Sequence, residues 1–119
     1  ARQVHEIGAL LVAGTATTGG WRVAYLGPDL PADEIAGAAR RHGATAVALS
    51  IVYPADDPLM GQEIQRLRRG LGDEVALLAG GRSAEAYRRD LVGAGAVMVG
   101  DLADLRDKLA ALRAAGVSR

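Results

Sequence analysis

The chain has no cysteine and no phenylalanine, and its aromatic residues are one tryptophan and three tyrosines. Without cysteine there is no disulfide, no thiolate metal site and no thiol nucleophile. Half of the residues are hydrophobic, so the core must be built from Ala, Val, Leu and Ile. Excess charge is missing too: Lys plus Arg number 14 and Asp plus Glu number 14. That balance excludes a basic nucleic-acid face spread over the whole domain. No run approaches the roughly 18 apolar residues of a membrane span, and no secretory apolar segment is visible. A cytoplasmic location with no membrane contact is therefore expected. At 119 residues the chain is one domain, 1–119. It opens on Ala1 rather than methionine, so a fragment of a larger protein is expected.

The residues that are present alternate in kind. Residues 5–18 read as a helix of small residues closed by Gly19-Gly20, and Trp21–Leu26 as a short strand broken by Gly27-Pro28-Asp29. Pro31 suits a first helical residue, followed by Asp33 and Glu34 in the first turn and Ile35, Ala38 and Ala39 on one face. Arg40, Arg41 and His42 fall in the last turn before Gly43, where a cation suits the helix dipole. Ala44–Ser50, extended by Ile51 and Val52, is an apolar run typical of a strand covered on both faces. Met60, Ile64, Leu67 and Leu71 mark a helix with one buried stripe, and Glu74–Ala79 a further strand running into Gly80-Gly81. Ser83 is the expected cap of a helix burying Tyr87 and Leu91. Ala96–Val99 is a last strand, and Asp101 caps a helix with Leu102, Leu105, Leu109 and Leu112 as its stripe.

Strict alternation with short loops predicts an α/β fold: a flavodoxin-like (Rossmann-like), doubly wound parallel sheet. Such a sheet starts with a central strand before its first helix. The chain shows only a few residues there, so the first strand is expected upstream of Ala1. Ligands of open parallel sheets bind beyond the carboxyl ends of the strands. Those ends carry Gln3–Gly8, Gly27-Pro28-Asp29, Ser50 with Val52 and Tyr53, Gly80-Gly81 and Gly100-Asp101. A rim so small and neutral lacks the carboxylates, base and cationic clamps of hydrolytic or phosphoryl-transfer sites. It suits a bulky ligand pressed against backbone.

Three elements in order, His5-x-x-Gly8, Ser50-x-Val52 and Gly80-Gly81, resemble the cobalamin-binding domain family. Its pattern is Asp-x-His-x-x-Gly, Ser-x-Leu and Gly-Gly, and the resemblance covers all 119 residues. It implies a cobalamin cofactor, adenosylcobalamin or methylcobalamin, bound with its own dimethylbenzimidazole displaced. His5 would be the metal ligand, taking the lower axial position on cobalt. Gln3, Glu6, Ile7 and Gly8 would surround it, with Gly8 keeping the first helix clear of the displaced nucleotide tail. Ser50 would hydrogen-bond the base of that tail and Val52 would line its slot, with Tyr53 beside them as a further cofactor-binding residue. Gly80 and Gly81 would let it pass without side chains in the way, and Gly100 at the next strand end is a further cofactor-binding residue. Neutral imidazole suits cobalt, and glycine permits close backbone approach.

Gln3 departs from the family's aspartate. A carboxylate behind a metal-bound histidine raises its basicity; an amide accepts the ring N–H without charge. This favours a binding and sensing module over catalysis. The wording of Gly20–Asp29 looks most like the cobalamin domains of MerR-type light-responsive transcriptional regulators. In that reading a helical or DNA-binding domain lies upstream, self-association is a further expectation, and this domain itself does not touch nucleic acid. The alternative is a corrinoid carrier domain of a methyltransferase or mutase. Trp21 and Tyr25 read as packing residues. Arg66, Arg68, Arg69, Arg88 and Arg89 read as solvated helix faces, and Asp56-Asp57 as too few carboxylates for a hard cation.

Overall fold

The computed structural model describes residues 6–14, 21–28, 31–53 and 57–117. Five strands and four helices follow one another as β1 (Glu6–Gly14), β2 (Trp21–Pro28), α1 (Ala32–His42), β3 (Ala46–Tyr53), α2 (Met60–Leu71), β4 (Ala76–Gly80), α3 (Arg88–Gly93), β5 (Ala96–Met98) and α4 (Leu102–Val117). A 3-10 turn, Ala84–Tyr87, leads into α3. The strands form one sheet in the order β2-β1-β3-β4-β5, the flavodoxin-like order of a doubly wound α/β fold.

β3, β4 and β5 pair in parallel. β1 pairs antiparallel with both β2 and β3, so β2 runs in the same direction as β3. The four strands read from the sequence are thus all parallel to one another, and β1 alone is reversed. Here the structure corrects the sequence reading: Glu6–Gly14 is a strand, not the first part of a helix. It takes the central place that had been assigned to a strand upstream of Ala1. The physical reason is main-chain pairing. A gap between β2 and β3 would leave two rows of N–H and C=O groups without partners. Ile7–Ala13 is apolar throughout, a composition compatible with a central strand, and Gly8 and Gly14 are poor helix residues.

One face of the sheet carries the main core. Val47, Leu49, Ile51, Leu77 and Ala79 point to it, together with Ala9 of β1. α1 covers it with Ile35, Ala36 and Ala39, and α2 with Met60, Ile64, Leu67 and Leu71, the stripe its spacing predicts. Tyr87 and Leu91 are buried there as expected. Gly43 ends α1 in the left-handed conformation, φ 62°, which glycine adopts without strain. The opposite face is covered less completely. Ala46, Ala48 and Leu78 form a small cluster against Val99 and against Leu105 and Leu109 of α4. Leu102 and Leu112, expected in the same stripe, are exposed at 67% and 37%. α4 therefore shields the β4 side of this face through two leucines rather than four.

Arg68 departs from the solvated face assigned to it. Its guanidinium donates to the carbonyls of Ala94 at 2.7 Å, Gly72 at 2.8 Å and Val75 at 2.7 Å. It ties the end of α2 to the end of α3 and the start of β4. Arg88 pairs with Glu85 across one turn at the surface.

Candidate functional site

Because β1 is reversed, its first residues stand at the same rim as the last residues of the parallel strands. Gly8 is the Cα partner of Pro28 on one side and of Ser50 on the other. Ser50 in turn is the partner of Gly80. The glycine of the first motif, the serine of the second and the first glycine of the third therefore lie in one row across the sheet. Gly8 does not act from a helix, as expected from the sequence; it is a strand residue between two neighbours. Glu6 and Ile7 pair with Tyr53 and Ile51. Gln3 and His5 lie outside the described residues.

Directly behind this row, between the open face of the sheet and the start of α4, runs a groove of about 310 Å³. Its floor is Ala48, Ser50, Leu78 and Gly80, and its far wall runs from Val99 through Gly100 to Leu105. Gly81 and Tyr25 complete the lining. Four of the expected cofactor residues, Ser50, Gly80, Gly81 and Gly100, are brought together here. Val52, 37% exposed, shares the Ser50 side of β3 by strand alternation but does not line the groove.

The groove's end is held by a clasp between the turn after β4 and the last residues of β3. A Cβ on Gly81 would stand 2.5 Å from the Ile51 carbonyl oxygen and 2.6 Å from its nitrogen, and φ at Gly81 is 107°. No side chain fits there, and few residues other than glycine adopt that backbone. Ser83 N–H donates to the Ile51 carbonyl at 2.8 Å, and its hydroxyl donates to the Val52 carbonyl. This corrects the expected role of Ser83: its side chain makes no cap bond to the following turn. Ser83 is the one buried polar side chain among the described residues, and burial without a partner would be unfavourable.

The far wall is fixed by a reciprocal pair. Asp101 accepts from the N–H of Asp104 at 2.8 Å, and Asp104 accepts from the N–H of Gly100 at 2.8 Å. Asp101 thus caps α4 as expected. Asp104 also binds the Lys108 ammonium at 2.6 Å. The Lys108 hydrogen bond, then the Gly100 N–H, hold its carboxyl below the ordinary value of 3.8.

Among the described residues Asp101 is the only charged side chain lining the groove. The groove is an apolar slot with glycine backbone at the exit, and the Ser50 and Tyr25 hydroxyls belong to its lining. A second, more open hollow of about 470 Å³ lies between α2 and α3, walled by Asp57, Gln62, Gln65 and Asp90. Asp57 Oδ1 is engaged by the Leu59 N–H at 2.9 Å. Among the described residues no group of three or more His, Cys, Asp or Glu side chains could hold a metal ion.

A family model, the B12 binding domain, matches residues 1–110. The chain belongs to this family. No curated protein and no solved structure matches it. The B12-binding domain binds cobalamin, and the groove fits part of that cofactor. Its volume is at the low end of ligand pockets, about 300–1,000 Å³. It is too small for a whole corrinoid and suits an appended planar group. Among the described residues no helix is long and apolar enough to cross a membrane.

Sequence reasoning missed two residues here. Tyr25, read as packing, is 64% exposed and lines the groove. Its signal was present in the alternation of β2: Leu26 packs against the main core, so its neighbour faces the other way. Ser83 carried no such signal, since its partner lies 31 residues away.

Proposed function

We propose that this domain holds cobalamin with the dimethylbenzimidazole displaced, His5 serving as the lower axial ligand of cobalt. The nucleotide tail occupies the groove beside α4. In this reading Ser50 hydrogen-bonds the base, and Gly80, Gly81 and Gly100 leave room for the tail. Gln3, Glu6, Ile7, Gly8, Val52 and Tyr53 surround the point where tail and corrin meet. The observation that carries it is the row Gly8, Ser50, Gly80 at the mouth of an apolar groove.

The chemistry the cofactor supplies is its cobalt–carbon bond, which light breaks in adenosylcobalamin. The chain's own part is to bind, orient and exclude water. Gln3, where the family has aspartate, leaves His5 without a carboxylate behind it. That supports a sensory module of a transcriptional regulator over a corrinoid carrier of a methyltransferase or mutase. DNA binding would belong to another part of the protein, and the readout would be a change in self-association.

The test is retention of hydroxo-, methyl- or adenosylcobalamin through gel filtration, with the visible spectrum recorded. Retention by the wild type and a changed spectrum in His5→Ala are expected. No retained corrinoid contradicts the reading. Illumination of the adenosyl form should alter the oligomeric state; an unchanged state contradicts the sensory role.

A further inference from the structure

Tyr25 is an aromatic ring standing in solvent in a protein that has very few. Burial of a tyrosine ring is strongly favourable, so an exposed one beside an apolar groove is informative. Tyr25 is 64% exposed. It sits on β2, and β1 lies between it and β3. Two strand spacings, about 9–10 Å, separate its backbone from that of β3. Yet it shares the groove with Ser50, Leu78 and Leu105. The side chain therefore leans over β1 toward the groove rather than packing on its own strand. Opposite stand apolar side chains and glycine backbone, and among the described residues lining the groove the one carboxylate is Asp101, which is engaged at the cap of α4. An aromatic face at the open side of an apolar slot, with one hydroxyl at its floor, suits a flat heteroaromatic ring: the face stacks and the hydroxyl bonds a ring nitrogen.

We infer that Tyr25 stacks on the base of the cofactor's nucleotide tail and so determines selectivity for corrinoids that carry such a base. The inference rests on the proposed binding mode and adds a specificity residue to it. Stacking on an aromatic side chain contributes about 1–3 kcal/mol per base, so loss of the ring weakens binding by on the order of tenfold.

The experiment compares dissociation constants for cobalamin and for cobinamide, which lacks the nucleotide tail, in the wild type, Tyr25→Phe and Tyr25→Ala. Far-UV circular dichroism confirms that each variant is folded. The expected result is about tenfold weaker cobalamin binding for Tyr25→Ala, with cobinamide binding unchanged and Tyr25→Phe near wild type. Equal weakening for both corrinoids, or none for cobalamin, overturns the assignment while the binding mode stands. A wild type that binds both corrinoids equally well removes the tail from the groove and overturns the assignment with it. A wild type that retains neither overturns the proposed function itself.

Discussion

The Ser83 hydroxyl donates to the main-chain carbonyl of Val52, and so fastens the turn after β4 to the end of β3. Val52 closes the second motif and Ser83 lies two residues beyond the third, so the bond adds to the β3–β4 pairing that sets Ser50 beside Gly80. Ser83→Ala removes the donor to a part-buried carbonyl, a hydrogen bond that contributes about 0.5–1.5 kcal/mol. Chemical denaturation should show that loss. Cobalamin affinity should fall as well, because the Ser50 floor of the groove loses its brace. Unchanged stability would mean that water replaces the hydroxyl.

Gly81 is constrained more severely. A Cβ there would meet the Ile51 oxygen at 2.5 Å, and main chain cannot swing aside as a flexible side chain can. The positive φ adds strain of about 1–3 kcal/mol. Gly81→Ala is expected to lose several kcal/mol of stability, measured by denaturant titration. Gly80→Ala is expected to be milder, since its Cβ would approach the Val99 carbonyl oxygen at 3.0 Å.

Arg68→Ala should destabilise the domain by about 2 kcal/mol, because hydrogen bonds from a charged donor contribute about 1.5–3 kcal/mol and three carbonyls lose theirs together. Arg68→Lys should recover only part of this. A single ammonium cannot reproduce a planar fork reaching Ala94, Gly72 and Val75. Thermal denaturation of the two variants gives the comparison.

Asp104 introduces a dependence on pH. Its carboxyl is held below 3.8 by Lys108 first and Gly100 second. A depressed carboxylate contributes stability that is complete above the unfolded value. That contribution is lost as pH falls through the folded value. Acid titration should therefore loosen α4 and the far wall of the groove only below about pH 4. Asp104→Asn should remove this component at every pH. A profile identical to the wild type would contradict the pairing.

Much of this was legible in the chain. Met60, Ile64, Leu67 and Leu71 are buried as their spacing implies, and Gly43 and Asp101 sit at the helix ends they mark. Ser50, Gly80, Gly81 and Gly100 meet at one groove because parallel strands bring their carboxyl ends to one rim. β1 was not legible. After Glu6 the segment to Gly14 is a mixture of small and branched apolar residues compatible with either helix or strand locally, and pairing with β2 and β3 decides between them. Ser83 and Arg68 were misread for a related reason: their partners are carbonyls supplied by other elements, which local sequence does not display. Tyr25 was misread because its exposure depends on how much of the sheet α4 covers.

The central claim, that His5 coordinates cobalt while the tail lies in the groove, is tested most directly by electron paramagnetic resonance of the domain loaded with the cobalt(II) form. The sample is compared with and without nitrogen-15 in its histidines. His42 is changed to Gln in both samples, so that His5 is the only histidine. The account predicts that the axial nitrogen splitting changes from the nitrogen-14 triplet to the nitrogen-15 doublet on labelling. A triplet that persists in the labelled protein would show the cofactor's own base still on the metal, and would contradict the account.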